Sequence, residues 1–117
     1  MDDRDPECLF CRIVAGEIPS DRVHEDDHVV AFRDINPQAP THVLVIPRRH
    51  IADAHGLSAA DAPILARLFE VTNRLAGEAS LVNGYRIVTN VGADAGQTVF
   101  HQHFHLLGGR PMGWPPG

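Results

Sequence analysis

Residues 101–107 read HQHFHLL, which places His101, His103 and His105 at alternate positions. Residues two apart in a β-strand point to the same face. The pattern therefore predicts three imidazoles on one face, about 6.5–7 Å apart at a rise of about 3.3 Å per residue. The opposite face is expected to meet the core and carries Phe100, Gln102, Phe104 and Leu106. Each imidazole offers one nitrogen as nucleophile, base or metal ligand near neutral pH. The stretch therefore predicts a strand with one core face and one reactive face.

Length and composition predict one soluble domain over residues 1–117. A chain of this length suffices for a single core, and 44% hydrophobic residues are typical of a folded protein. The longest apolar run, residues 43–46, is too short to cross a bilayer, and the acidic start lacks the features of a signal peptide. We therefore expect a cytoplasmic protein without a membrane partner, in which residues 1–7 form a disordered acidic leader.

The charged residues exclude several classes of function. The formal net charge is −5, and all ten basic residues are arginines scattered along the chain. A nucleic-acid partner needs a clustered basic face for counterion release, so none is expected. Without lysine, the chain has neither the P-loop lysine nor a Schiff-base nucleophile.

The apolar patterning predicts an α+β fold, with mostly antiparallel strands against one long helix. Residues 58–61 resemble a capping box, Pro63 follows in the first helical turn, and apolar residues then keep helical spacing as far as Ala79. The predicted elements are a short helix or turn over 8–14, strands over 23–25, 28–34, 42–47, 85–90 and 99–107, and the helix ending near 79.

A glycine-rich loop over residues 92–98 precedes the histidine stretch. Glycines allow backbone N–H groups to converge on an anion, and Asn90 and Thr98 add an amide and a hydroxyl. Alone, such a loop is unspecific. Beside three histidines it predicts an anionic substrate, most simply a phosphate.

His42 stands at the start of the apolar run 43–46. A single histidine in this position often only closes the end of a strand. If this strand lies beside the histidine strand, His42 is instead placed to orient one of the three imidazoles.

Cys8 and Cys11 have the spacing of a metal or redox pair, and the alternative is an incidental pair of half-buried thiols. A structural zinc site takes four ligands, so two more must come from elsewhere. The candidates are His50 and His101.

Together these residues resemble the histidine triad (HIT) superfamily, whose signature is His-x-His-x-His followed by two apolar residues. Gln102 stands where an apolar residue is usual, but it is predicted to point away from the reactive face and to leave activity intact. Residues 31–35, 37–47, 96–100 and 108–117 are similar to the Hint branch, the purine nucleoside phosphoramidases.

The resemblance implies a HIT-like sheet of about five antiparallel strands, with one long helix and a short N-terminal helix. It implies a homodimer formed through the long helix and a neighbouring strand, with the tail 108–117, including Trp114, reaching toward the partner's site. The implied reaction hydrolyses adenosine or other purine nucleoside 5′-phosphoramidates to AMP and an amine through a covalent nucleotidyl-histidine, without a catalytic metal.

The resemblance also implies residue roles. His103 would be the nucleophile, His105 would contact the phosphate, His42 would orient the nucleophile, and Thr98 would supply a hydroxyl. Asp34 would bind the ribose hydroxyls, and Ile35 and Phe32 would line the base. The implied nucleotide-binding set is Phe32, Asp34, Ile35, Asn90, Gly96, Gln97, Thr98, His103 and His105. Some bacterial relatives bind structural zinc, and the matching ligands here are Cys8, Cys11, His50 and His101.

Three other functions remain open from the sequence. One is a dinucleoside polyphosphate hydrolase of another HIT branch, which the ending at residues 114–117 disfavours. Another is a zinc-dependent hydrolase that uses all three alternating histidines as ligands. The third is a non-catalytic regulator that binds a nucleotide or zinc.

Overall fold

The computed structural model describes residues 4–117 and has the α+β fold that the sequence predicts. Five strands are present: β1 (Arg22–Glu25), β2 (Val29–Arg33), β3 (Thr41–Pro47), β4 (Arg86–Val88) and β5 (Phe104–Gly108). The two α-helices are α1 (Leu9–Val14) and α2 (Ala62–Glu78).

The strands form one antiparallel sheet in the order β1-β2-β3-β5-β4. The central strand β3 is rich in β-branched residues, and every residue of it after Thr41 is buried. β3 pairs with β5, with His42 opposite Leu107 and Leu44 opposite His105. The strand that carries His42 therefore lies beside the histidine strand, which is the condition for His42 to orient one of the imidazoles.

Helix α2 covers one face of the sheet. A 3₁₀ turn over Ala59–Asp61 precedes the helix, in which the Asp61 carboxylate accepts the Ser58 N–H at 3.0 Å as in a capping box. Pro63 in the first turn of α2 has no N–H to leave unpaired. Apolar side chains at helical spacing pack on β2, β3 and β5. This cluster contains Val29, Ala31, Val43, Val45, Leu68, Val71, Leu75, Ala76, Phe104 and Leu106.

Helix α1 covers the opposite face. The Cys8 sulfur caps this short helix by accepting the Cys11 backbone N–H at 3.3 Å. The cluster beneath it contains Cys8, Phe10, Cys11, Ile13, Val30, Phe32, Leu44 and Ile46. His42 and His105 alternate with residues of the α2 face, so their side chains lie on the α1 side.

The predicted strand over 99–107 is too long, because β5 begins only at Phe104. Residues 99–103 lie outside the ladder and bend at Val99 and His101, and the Gln102 N–H donates instead to the Ile51 carbonyl at 2.5 Å. Phe100 was expected in the core and is 51% exposed, because the alternation of faces holds only inside the sheet. β4 is likewise shorter than the predicted 85–90.

The structure describes the C-terminal tail and residues 4–7 of the predicted leader. The predicted leader includes residues 1–3, which lie outside the described residues. Within residues 4–7, Asp5 accepts hydrogen bonds from the Cys8 and Glu7 N–H groups at 3.0 and 2.9 Å, forming a turn before α1. In the tail, Arg86 donates to the Gly113 carbonyl, and Trp114 is 86% exposed. No helix within residues 4–117 is long and apolar enough to span a membrane.

Candidate functional site

His103 lies one residue before β5, under helix α1. Its ring packs edge-on against Phe10, with ring centroids 5.1 Å apart, and lies 4.9 Å from the ring of His105. The side chain is buried, with the residue 7% exposed. The two rings are therefore close enough to act on one small group.

A single hydrogen bond fixes the tautomer of His103. Its Nδ1 lies 2.7 Å from the backbone carbonyl oxygen of His101, which can only accept. The proton must therefore be on Nδ1 in the neutral ring, which leaves the lone pair on Nε2. His103 thus carries an oriented nucleophilic nitrogen.

Hydrogen bonds place the proton of His42 and of His105 on Nε2, the opposite nitrogen from that in His103. The Gln38 backbone N–H donates to His42 Nδ1 at 3.0 Å, so the His42 proton is on Nε2. That nitrogen lies 2.9 Å from His105 Nδ1 and donates to it, which places the His105 proton on its own Nε2. His105 therefore presents an N–H donor beside the bare nitrogen of His103.

Burial keeps these rings neutral. It lowers the pKa of His42 and of His103, against the opposing influence of the nearby Asp34 carboxylate. Burial, together with the neighbouring rings of His103 and His42, lowers the pKa of His105 to about 4. A neutral imidazole is the form that can act as a nucleophile, so the environment favours nucleophilic chemistry at neutral pH.

The low pKa of His105 gives a testable result. We expect its ring to remain neutral as pH falls through 6.5 and to take up a proton only near pH 4. The unfolded chain binds that proton earlier, so between these pH values stability is lost as pH falls. An NMR titration of the ring protons measures this directly, with the urea-unfolded protein as the reference. A His105 midpoint near 6.5 in the folded protein would contradict the buried, relayed geometry.

The predicted nucleoside contacts are only partly available. Asp34 Oδ1 accepts the Asn36 N–H at 2.8 Å, and its Oδ2 lies 3.5 Å from His42 Nε2 at the edge of the histidine group. Ile35 is fully exposed and can contact a ligand. Phe32, predicted beside the base, is instead 5% exposed and packs edge-on against Phe10. Its ring belongs to the core under α1.

The loop over 92–98 is not an open cradle of N–H groups. The Gly92 N–H donates to Gln97 Oε1 at 2.8 Å, and the N–H groups of Ala95, Gly96 and Gln97 donate to carbonyls within the loop. Gln97 is buried, and its amide also donates to the carbonyls of Ala52 and Val99. The predicted convergence of this loop's amides on an anion is therefore wrong for these four groups, because they close the turn itself.

Asn90 and Thr98 occupy different surroundings. Asn90 is half-buried and follows Thr89, whose hydroxyl donates to the His103 carbonyl at 3.0 Å. Thr98 is exposed and lines a cleft of about 360 Å³ together with Cys8 and His50. Thr98 thus lies on the side of the cysteine cluster.

Cys8, Cys11, His50 and His101 come together beside α1, and their ligand atoms all lie within 4.8 Å of one another. The sulfur-to-Nδ1 distances are 3.3 Å for Cys8–His101, 3.5 Å for Cys11–His101 and 3.4 Å for Cys11–His50. Tetrahedral zinc with Zn–S near 2.3 Å and Zn–N near 2.05 Å separates such ligands by about 3.5 Å. Three of the six ligand–ligand distances therefore already match those of a tetrahedral zinc site.

The second nitrogen of His101 supports this fit. His101 is fully buried, and its Nε2–H donates to the Pro47 carbonyl at 2.8 Å, so Nδ1 is bare and faces both sulfurs. Burial lowers the pKa of His101 to about 4 and raises that of the Cys11 thiol to about 11. The alternating histidines are thus divided: His101 faces the cysteines, whereas His103 and His105 face each other. They do not converge as three ligands of one metal.

Two hydrogen bonds of this site could not be predicted from the sequence. The backbone of Gln38 sets the His42 tautomer, and the Thr89 hydroxyl holds the His103 carbonyl. A backbone donor depends on the path of its loop, and a threonine in a predicted strand usually serves β propensity alone.

Comparisons with known proteins agree with this α+β fold. The profile of the HIT domain family matches residues 15–112, and the chain belongs to that family. The resemblance drawn from the sequence is confirmed.

Two relatives and one solved structure show how close the match is. The purine nucleoside phosphoramidase of Escherichia coli (strain K12) is 46% identical over 108 residues, which cover 92% of this chain and 91% of that protein. The 14 kDa zinc-binding protein of Zea mays is 49% identical, covering 97% of this chain and 90% of that protein. A HIT family hydrolase from Legionella pneumophila Philadelphia 1 superposes with a TM-score of 0.93 at 51% identity, covering 95% and 100% of the two chains.

Proposed function

We propose that this protein hydrolyses the P–N bond of purine nucleoside 5′-phosphoramidates, releasing a nucleoside monophosphate and an amine. The observation that carries the proposal is the fixed pair of tautomers, with a bare Nε2 on His103 and an Nε2–H on His105. The name of the Escherichia coli relative supports the substrate class.

The reaction follows from these two nitrogens. His103 Nε2 attacks phosphorus in line, the Nε2–P bond forms, and the P–N bond of the substrate breaks as the departing nitrogen takes up a proton from solvent, which the water that later attacks phosphorus returns. The Nε2–H of His105 donates to a phosphate oxygen and stabilises the charge that develops there. Water then attacks phosphorus, the Nε2–P bond breaks, and nucleoside monophosphate leaves. Splitting the reaction through a covalent intermediate replaces one difficult step by two easier ones.

The nucleoside is proposed to lie along the exposed edge of the histidine group. Asp34 would bind the ribose hydroxyls and Ile35 would contact the base. Phosphate contacts are proposed from the side chains of Asn90 and Thr98, while the N–H groups of Gly96 and Gln97 and the Gln97 side chain hold the loop in shape.

The experiment that tests this function is a substrate panel. AMP and GMP joined to simple amines are incubated with the protein beside a dinucleoside polyphosphate, and the released monophosphate is quantified. Turnover of the conjugates with little cleavage of the polyphosphate supports the proposal. Preferential cleavage of the polyphosphate would assign the chain to another branch of the family, and AMP binding without turnover would indicate a non-catalytic binder.

We also propose that Cys8, Cys11, His50 and His101 hold a structural zinc ion. The ligand distances and the hydrogen-bonded second nitrogen of His101 support it, as does the zinc-binding name of the maize relative. The ion would join α1 to the segments that follow β3 and precede β5. It would supply no group to the reaction, because His103 and His105 lie outside its ligand set.

Zinc content gives a direct prediction. The purified protein should contain about one zinc per chain by elemental analysis, and Cys11→Ser should lose most of it because a structural site needs four ligands. His55→Asn is the matched control, since His55 lies in a separate short turn, and its zinc content should not change. Protein kept folded after chelation should still turn over substrate. Loss of turnover with the fold intact would indicate a catalytic metal instead.

A homodimer is proposed as the working form, with the tail 108–117 reaching toward the partner's site. The exposed Trp114 and the outer position of β4 in the sheet support it. Light scattering after size exclusion gives the mass in solution, and a single-chain mass at working concentration would contradict the proposal.

A further inference from the structure

The proposed nucleophile lies where the sheet ends. The last pair of the β4–β5 ladder is Val88 opposite His105, so His103 is beyond the reach of regular strand bonding. Its carbonyl oxygen accepts a hydrogen bond from the Thr89 hydroxyl at 3.0 Å. A side chain thus replaces the next ladder bond at the residue whose position matters most for attack.

Gln102 determines where the hydroxyl proton of Thr89 points. The Gln102 Nε2 group donates to Thr89 Oγ1 at 3.0 Å. A hydroxyl has one proton, and because Oγ1 accepts from Gln102, that proton is directed to the His103 carbonyl. If the amide were flipped, Gln102 Oε1 and the His103 carbonyl would compete for the same proton, which favours the observed orientation.

Gln102 lowers the stability of the fold, which indicates that its amide has a functional role. The residue is 1% exposed, and among the side chains of residues 4–117 its Oε1 is a buried polar atom without a hydrogen-bond partner. An unpaired buried oxygen lowers stability, and the position alternates with Phe104 and Leu106 of the core. A residue that breaks a local rule of stability is expected where function requires it.

We propose that Gln102 and Thr89 are positioning residues, which act together to hold the His103 backbone so that its Nε2 stays aligned for attack. This inference rests on the proposed function. The Gln102 N–H bond to Ile51 fixes one side of the segment, and the Gln102–Thr89–His103 chain fixes the other. Neither side chain is required to touch the substrate.

The test compares Gln102→Met and Thr89→Val with the wild type on an AMP–amine conjugate. Methionine keeps the length of glutamine without its amide, so Gln102→Met should lower kcat about 10- to 100-fold with KM nearly unchanged, while Tm stays equal or rises. Thr89→Val should lower kcat similarly, and Thr89→Ser, which keeps the hydroxyl, should restore it. Thr72→Val is the matched control, because the Thr72 hydroxyl donates to a carbonyl within α2, away from the site.

A second readout does not depend on turnover. A displaced His103 backbone should weaken the Nδ1–H bond to the His101 carbonyl. The ring nitrogen chemical shifts of His103 should therefore show one fixed tautomer in the wild type and in Thr72→Val, and averaged tautomers in Gln102→Met and Thr89→Val. If the wild type cleaves no conjugate, the proposed function fails, whereas the shifts still decide the positioning role. Unchanged kcat and unchanged shifts in both variants would overturn the inference. The inference would also be overturned if kcat fell in proportion to Tm, and to the same extent, in Thr89→Val and in Thr72→Val.

Discussion

Replacing His103 with alanine should lower kcat for an AMP–amine conjugate on the order of 10⁴-fold or more, because it removes the attacking atom itself. His105, His42 and Asp34 remain in the variant, so it should still bind AMP. The loss should therefore appear in kcat far more than in binding, which calorimetry with AMP can measure separately.

The covalent step has its own signature. Quenching the wild type during turnover should trap a nucleotide on the peptide that contains His103, seen as a mass increase of one nucleotidyl group. His28→Ala is the matched control, since His28 is an exposed histidine at the β1–β2 turn, and it should retain the wild-type rate. A His103→Ala protein that hydrolyses at full rate would eliminate His103 as the nucleophile.

The largest expected effect on stability is at Asp26, the centre of the β1–β2 turn. Its Oδ1 accepts the His28 and Val29 N–H groups at 2.7 and 2.8 Å, and its Oδ2 accepts His24 Nε2–H at 2.7 Å and Arg67 Nε–H at 3.0 Å. One carboxylate thus joins the hairpin to helix α2. Asp26→Ala leaves these donors without their acceptor and should lower the free energy of unfolding by about 3 kcal/mol.

Urea denaturation measures this change, and Asp27→Ala is the matched control. Asp27 is adjacent and exposed, so its replacement should change stability by no more than about 0.5 kcal/mol. Equal losses in the two variants would mean that turn charge in general, and not the Asp26 hydrogen bonds, stabilises the hairpin.

The Asp26 contribution should also depend on pH. Burial opposes ionisation, but the hydrogen bonds from His24, the turn backbone and Arg67 hold the pKa of Asp26 well below its ordinary value. A carboxyl group whose pKa is lower in the folded state stabilises that state fully at pH values above its unfolded pKa of about 4. This stabilisation decreases as the pH falls below that value. The difference between wild type and Asp26→Ala should therefore shrink below about pH 4.

The sequence predicted the class of fold because its periodicities are unambiguous. Helical spacing up to Ala79 matches α2 within two residues, and the apolar run at 43–46 lies inside β3. Strand ends were less predictable. Alternation of side chains persists in any extended chain, whereas a strand also requires a hydrogen-bonding neighbour, and residues 99–103 lack that ladder.

In the candidate site, too, some features were predictable from the sequence and others depended on the fold. Metal chemistry required two further ligands beside Cys8 and Cys11, the resemblance matched His50 and His101 to them, and these four side chains do meet. The glycine-rich loop could not be interpreted in this way, because its spacing does not reveal that Gln97 fills it and uses the Gly92 N–H. Phe32 lies in the core beneath α1, and its contact with the base stays a prediction, since an aromatic residue on a strand fits a ligand wall and a core equally well.

The placement of α1 and α2 on opposite faces of the sheet separates two kinds of mutational sensitivity. The imidazoles of the triad lie on the α1 side, together with Phe10 and the cysteine cluster, whereas the α2 side supplies the larger apolar core. In a saturation scan that measures abundance and specific activity separately, variants at Leu68 or Val71 should reduce abundance with little change in the activity of each surviving molecule. Variants at His103 should instead reduce specific activity far more than abundance, because they remove the proposed attacking nitrogen. The two faces can therefore diverge at different rates among descendants of this chain.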